Sequence, residues 1–152
     1  MKSKTLISWL PIFCLLVSIP FIVIINRVIV SATIDRTTDN ITPQIAAQLI
    51  QQQSNKRSLV ILDVRTPQEY ANGHLDRAVN VDFYRPEFRQ AIDRLERQKT
   101  YLIYCHSGVR SSRSIHLMRA MGFKQVYNLE GGIRRWQQAG FVTTLSSLDN
   151  SH

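Results

Sequence analysis

The pattern of apolar and polar positions divides the chain into two kinds of material. Residues 6–25 (LISWLPIFCLLVSIPFIVII) run for twenty positions without a charge, whereas beyond residue 30 the apolar residues come in short runs between polar ones. At about 1.5 Å of rise per residue, a helix of that uncharged length reaches roughly 30 Å, the thickness of a bilayer's hydrocarbon core. Pro11 and Pro20 would kink such a helix without forbidding it, since membrane helices tolerate proline where neighbours re-satisfy the backbone. Lys2, Lys4 and the small residues Val30-Ser31-Ala32 also fit a cleaved signal peptide. The apolar stretch is longer than a signal core of about 7–15 residues, which favours an uncleaved transmembrane anchor over residues 1–30. Near its ends Lys2, Lys4 and the terminal amine give three charges against two for Arg27 and Arg36. The positive-inside rule then leans toward a single-pass protein with its downstream domain on the non-cytoplasmic side.

Residues 31–40 (SATIDRTTDN) are polar and read as a linker. Thr42-Pro43 supplies an N-cap and a proline in the first helical position, and Ile45, Leu49 and Ile50 form the apolar stripe of a helix. The nearly continuous apolar run LVILDV (59–64) predicts a strand buried on both faces. Thr66-Pro67 opens a short helix through Tyr70 that Asn72-Gly73 stops, and residues 79–81 form a brief strand. A charged amphipathic helix is expected over 86–99, with Phe88, Ile92 and Leu95 on one face. TYLIY (100–104) reads as a second buried strand, 111–121 as a helix ended by Gly122, and 125–129 as a further strand. Gly131-Gly132 breaks the chain before a last helix around Trp136, a core residue, that Gly140 ends. Strands that alternate with helices predict an α/β domain over residues 41–145, with a mostly parallel central sheet and helices on both faces. Residues 146–152 are left as a tail.

Composition narrows the function classes. Two cysteines, Cys14 and Cys105, argue against a disulfide scaffold, and four scattered histidines give no metal-ligand spacing. The formal charge is +8 over 152 residues, yet no basic block or aromatic-interleaved basic stripe stands out. Nucleic acid is therefore not an expected partner, and an anionic membrane surface or a small anionic substrate fits the balance better.

The chemistry concentrates in CHSGVRS, Cys105 to Ser111, directly after the TYLIY strand. In parallel sheets ligands bind beyond the carboxyl ends of the strands, which is where Cys105 falls. A loop of six residues wrapped onto a helix N-terminus points several backbone N–H groups into one small space, where they and the helix dipole stabilise an anion. Gly108 can take the positive φ of a tight cradle, and Arg110, Ser107 and Ser111 add a positive charge and hydroxyl donors. A thiolate at Cys105 would be such an anion, with a pKa below the free value of about 8.5. Packing alone would explain a buried strand-end cysteine, but not the glycine and arginine that follow it.

CHSGVRS resembles the active-site loop of the rhodanese (sulfurtransferase) family. LDVRTPQEYANGH (62–74), AVNV (78–81) and VYNLEGGIRRWQQAGF (126–141) resemble further motifs of that family in the same order. The resemblance implies the rhodanese-like α/β fold and a Cys105 that accepts a sulfane sulfur as a persulfide. It implies that the loop of His106, Ser107, Gly108, Val109, Arg110 and Ser111 holds that persulfide, with Arg110 binding the anionic donor. Asp63 and Arg65 match the family's Asp-Val-Arg and could border the pocket, although an ion pair or loop-fixing hydrogen bonds explain them equally. His74 is read as a hydrogen-bonded turn residue, and Glu130, Gly131 and Gly132 as a turn near the site. Asp76-Arg77-Ala78 departs from the family's Pro-Gly-Ala-like turn. The implied partners are a small anionic sulfur donor such as thiosulfate and a thiol, cyanide or protein-thiol acceptor, with no metal and no organic cofactor. Cysteine phosphatases and arsenate reductases of this fold are the competing enzymes, but their Cys-to-Arg loop is one residue longer than the Cys-x4-Arg here. A redox-sensing or binding module is the non-enzymatic alternative.

Overall fold

The computed structural model of the protein describes residues 39–53 and 58–145. The anchor expected over 1–30, most of the linker and the tail lie outside the described residues. Among the described residues no helix is long and apolar enough to cross a membrane.

The described elements run β1 (Asn40–Ile41), α1 (Pro43–Gln53), β2 (Leu59–Asp63), α2 (Pro67–Ala71), β3 (Val79–Asn80), α3 (Phe88–Asp93), β4 (Thr100–Tyr104), α4 (Val109–Ala120), β5 (Gln125–Leu129) and α5 (Gly132–Gln138). The strands form one sheet in the order β1-β5-β4-β2-β3, with every pair parallel. Parallel neighbours need long crossovers, and the intervening helices supply them. All five residues of β4 are buried, as its apolar run predicts for the central strand. Tyr101 and Ile103 face a core with Leu62, Phe88, Ile92, Ile115, Met118, Phe123 and Val126, drawn from β2, α3, α4 and the β5 region. Leu102 and Tyr104 point to the opposite face and are equally buried, so the sheet is covered on both sides.

Several boundaries differ from the sequence expectation. The helix expected over 86–99 is only α3, Phe88–Asp93. Two turns suffice to bury Phe88 and Ile92, and the chain then turns at Leu95 and Lys99, whose amides reach back to Ile92 and Glu96. Helix α4 starts at Val109 rather than 111, because Gly108 turns the backbone straight into the helix. Asn40, the last residue of the expected linker, pairs with Asn128 in β1, a two-residue strand too short to show a period. By one residue each, the strands expected over 59–64 and 79–81 end early at Asp63 and Asn80, α4 ends at Ala120 rather than 121, and α2 runs on to Ala71. At the unusual Asp76-Arg77-Ala78 turn the tight bend survives: the Ala78 amide donates to the Leu75 carbonyl, and Arg77 takes φ +58°. That left-handed conformation is one that glycine adopts without strain and a side chain does not.

Candidate active site

Cys105 follows β4 immediately and is 1% exposed. Its Sγ accepts from the Gly108 amide at 3.1 Å, and the Ser111 hydroxyl lies 3.6 Å from Sγ and 3.1 Å from the Gly108 carbonyl. Gly108, at φ +97°, is what lets the loop curl tightly enough to bring its own amide over the sulfur. Burial pushes the Cys105 thiol up, but the amide and hydroxyl of Ser111 and the amides of Ser107 and Gly108 outweigh it. The net pKa lies below the ordinary thiol value. The cradle that the sequence predicts is therefore formed by the loop and the first turn of α4, with the sulfur at its centre.

The carbonyls of the same loop are turned outward and held by α5. The Ile133 amide donates to the Cys105 carbonyl at 2.9 Å, and the Arg134 amide to the His106 carbonyl at 3.3 Å. This engages two N-terminal amides of α5 that a helix otherwise leaves open. The approach requires Gly132: a Cβ there would sit 2.4 Å from the Cys105 carbonyl oxygen and 2.6 Å from the His106 carbonyl carbon. From the other side, Asn128 Nδ2 donates to Asn40 Oδ1 at 2.7 Å and reaches the Gly108 carbonyl at 3.4 Å. Carbonyls anchored outward leave the amides free to point inward.

The remaining sequence-derived candidates fall into two groups. His106, Ser107 and Val109 are exposed at the mouth of the loop. Arg110 makes two bonds to Glu69, Nη1 to Oε2 at 2.8 Å and Nη2 to Oε1 at 2.7 Å, and lies 5.5 Å from the Tyr84 ring centroid. The bond from Glu69, opposed by burial, holds the Arg110 guanidinium well above its ordinary value, and the negative charge of a Cys105 thiolate adds to it. Asp63 and Arg65 are placed together but apart from the loop's own bonds. Arg65 Nε and Nη2 engage the Asp63 carboxylate at 2.6–3.0 Å, and Nη2 also donates to the Gly73 carbonyl at 2.6 Å. Both side chains are buried, and the guanidinium lies 5.7 Å from the Tyr104 ring centroid. Burial pushes Arg65 down, but the bond to Asp63 outweighs it and holds the pKa above the usual value. The structure gives Arg65 and Asp63 the ion-pair geometry that fixes the turn after α2 to the end of β2. His74 sits in that turn, with Nδ1 3.1 Å from the Tyr70 carbonyl and its ring stacked on Tyr70 at 3.8 Å.

Sequence reading did not single out Glu69, Asn128 or Tyr84 as part of the site. Glu69 carried a usable signal, since Thr66-x-x-Glu69 is a capping box and the structure forms it. Asn128 was visible as a polar residue inside an apolar strand. For Tyr84 no signal in the sequence stands out.

Comparison with known proteins bears on the family and the fold. The Rhodanese-like domain model matches residues 42–139. An uncharacterized protein of Synechocystis sp. is 33% identical over 107 residues, 70% of this chain and 58% of that protein. The tRNA uridine(34) hydroxylase of Yersinia pestis is 31% identical over 114 residues, covering 71% of this chain and 32% of that enzyme. The crystal structure of thiosulfate sulfurtransferase from Pseudomonas aeruginosa superposes with a TM-score of 0.59 at 26% identity, over 70% of this chain and 19% of that one. The chain thus spans 58% and 32% of the length of these two curated relatives. With the parallel sheet, the cysteine cradle and the family match in agreement, the chain belongs to the rhodanese-like domain family.

Proposed function

We propose that the protein is a sulfurtransferase that carries a sulfane sulfur on Cys105. The observation that carries this reading is the buried Sγ held by the Gly108 amide and the Ser111 hydroxyl, in a loop with four residues between Cys105 and Arg110. The cradle lowers the thiol pKa and so raises the share of nucleophilic thiolate, and the same donors can hold the terminal sulfur of a persulfide. The thiolate attacks the outer sulfur of a donor such as thiosulfate or an organic persulfide. A bond from Sγ to that sulfur forms as the donor's own bond to it breaks, and the leaving group (sulfite or a thiolate) departs with the electron pair. A thiol, a protein thiol or cyanide then attacks the outer sulfur of the persulfide and returns Cys105 as thiolate. This is a two-step covalent mechanism with ping-pong kinetics.

The sulfurtransferase among the structural neighbours supports the same chemistry. The tRNA uridine hydroxylase shares this domain over less than a third of its own length, and its activity is not carried over. Incubating the protein with thiosulfate or a small persulfide and weighing the peptide that contains Cys105 should show one added sulfur, lost on treatment with cyanide. No adduct, or the same adduct in Cys105→Ser, overturns the reading. We further propose that residues 1–30 tether the domain to a membrane, supported by the uncharged run 6–25. Expression of the full chain followed by a carbonate wash of membranes tests it: release into the supernatant counts against a spanning helix.

A further inference from the structure

Arg110 is the residue that the family resemblance assigns to anionic donors, yet both of its terminal nitrogens are already occupied by Glu69. The planar two-bond arrangement is the strong form of this contact. Glu69 is itself fixed. Its Oε2 accepts from the Thr66 amide at 3.0 Å and faces the Thr66 hydroxyl at 3.1 Å, while the Thr66 hydroxyl accepts from the Glu69 amide at 3.3 Å. The carboxylate cannot swing aside without giving up its bond from the Thr66 amide, the reciprocal half of the α2 capping box. A donor that approaches Cys105 therefore meets a neutralised pair beside a thiolate, and the attraction that remains comes from the short backbone dipoles of the cradle. The rim next to this pair is partly apolar: Tyr84 is 68% exposed and Val109 58%. A doubly charged inorganic donor gains little there, whereas a donor with an organic group can lay it on Tyr84 and Val109.

We propose that Glu69 sets the charge selectivity of the Cys105 site, disfavouring dianionic sulfur donors relative to low-charge organic persulfides by neutralising Arg110. The proposal rests on the sulfur-transfer reading for its choice of donors, but its electrostatic content does not. Glu69 is a positioning residue here, since it acts through Arg110. Glu69→Gln removes the charge and keeps a side chain that suits the capping box. The ratio of kcat/KM for thiosulfate to kcat/KM for the persulfide of 2-mercaptoethanol should rise roughly tenfold in Glu69→Gln, mainly through KM for thiosulfate. Arg110→Gln should move the ratio the other way, because it leaves the Glu69 charge uncompensated. A second measurement needs no sulfur transfer: the rate of Cys105 alkylation by iodoacetate relative to iodoacetamide, read on the Cys105 peptide. That ratio should rise about threefold in Glu69→Gln and fall in Arg110→Gln. If both variants lower the two members of each pair of reagents alike, Glu69 only holds the loop and the proposal is overturned. If thiosulfate leaves no persulfide in any variant while the alkylation ratios move as stated, the sulfur-transfer reading fails and the charge role stands. If persulfide forms but both ratios stay at the wild-type value, the reverse holds.

Discussion

Ser111 gives the most direct handle on the reactivity of Cys105, because its hydroxyl and amide are among the groups that hold the thiol pKa down. Removing the hydroxyl in Ser111→Ala leaves the burial penalty with fewer opposing donors, so the thiol pKa rises. Less thiolate is then present at neutral pH, and iodoacetamide should react with Cys105 roughly threefold to tenfold more slowly, the worth of one ordinary hydrogen bond. The deficit should close as pH is raised, so a pH–rate profile separates a shifted pKa from a misplaced sulfur. Arg65 makes a contrasting case. Arg65→Ala strands a buried Asp63 carboxylate, which costs about 3–5 kcal/mol, and a denaturant melt should show that loss. Arg77→Gly should raise stability slightly, by less than about 1 kcal/mol, because it relieves a left-handed side-chain-bearing residue at some cost in unfolded-chain entropy. At this scale the sequence was readable wherever chemistry is local. Cys105, Gly108 and Ser111 lie within one short loop, so their spacing alone implies the cradle. Glu69 lies 41 residues from Arg110, and nothing in either segment reveals that the two charges meet.

Among the elements, α2 and α5 serve the loop without contributing a group to the sulfur itself. Glu69 closes the α2 capping box and pairs with Arg110, and the bond from Arg110, opposed by burial and aided by Thr66, lowers its pKa from 4.5 to about 2. A carboxyl with a depressed folded-state pKa stabilises the fold fully above its unfolded value. The Glu69 contribution is therefore complete above about pH 4.5 and is lost as pH falls toward 2. Melting temperatures of wild type and Glu69→Gln should converge over that window. At α5 the constraint is steric. Gly132→Ala would place a Cβ 2.4 Å from a backbone carbonyl oxygen at φ +62°, and backbone cannot move aside as a side-chain tip can. We expect about 1–3 kcal/mol of destabilisation together with slower Cys105 alkylation, because the carbonyls that α5 anchors would be displaced. Strand runs such as TYLIY announced their elements, since burial on both faces demands continuous apolar residues. Two-residue β1 and shortened α3 did not, because pairing with β5 and the burial of just two side chains decide them.

For the molecule as a whole, the all-parallel sheet places the end of its central strand, and thus Cys105, at the edge where crossovers deliver helix N-termini. The alternation of strands and helices made that architecture legible before any site was located. The proposed tether is separable from the chemistry by a simple comparison. A chain that begins at residue 31 should leave the membrane pellet while still acquiring one sulfur on Cys105. Persulfide formation that disappears with the N-terminal segment would tie the chemistry to the membrane instead.

The contact between α5 and the loop carbonyls also dictates an order in time. Gly132 and Ile133 follow Cys105 by more than twenty-five residues, so the loop gains its final anchors only when a distant segment docks. In a refolding chain Cys105 should therefore react as an ordinary thiol at first and gain its heightened reactivity when the last helix docks. Pulse alkylation during refolding from denaturant should label Cys105 at the rate of a free cysteine at early times and at the faster rate of the finished protein once α5 has docked. The emergence of a reactive thiol thus serves as a clock for completion of the fold.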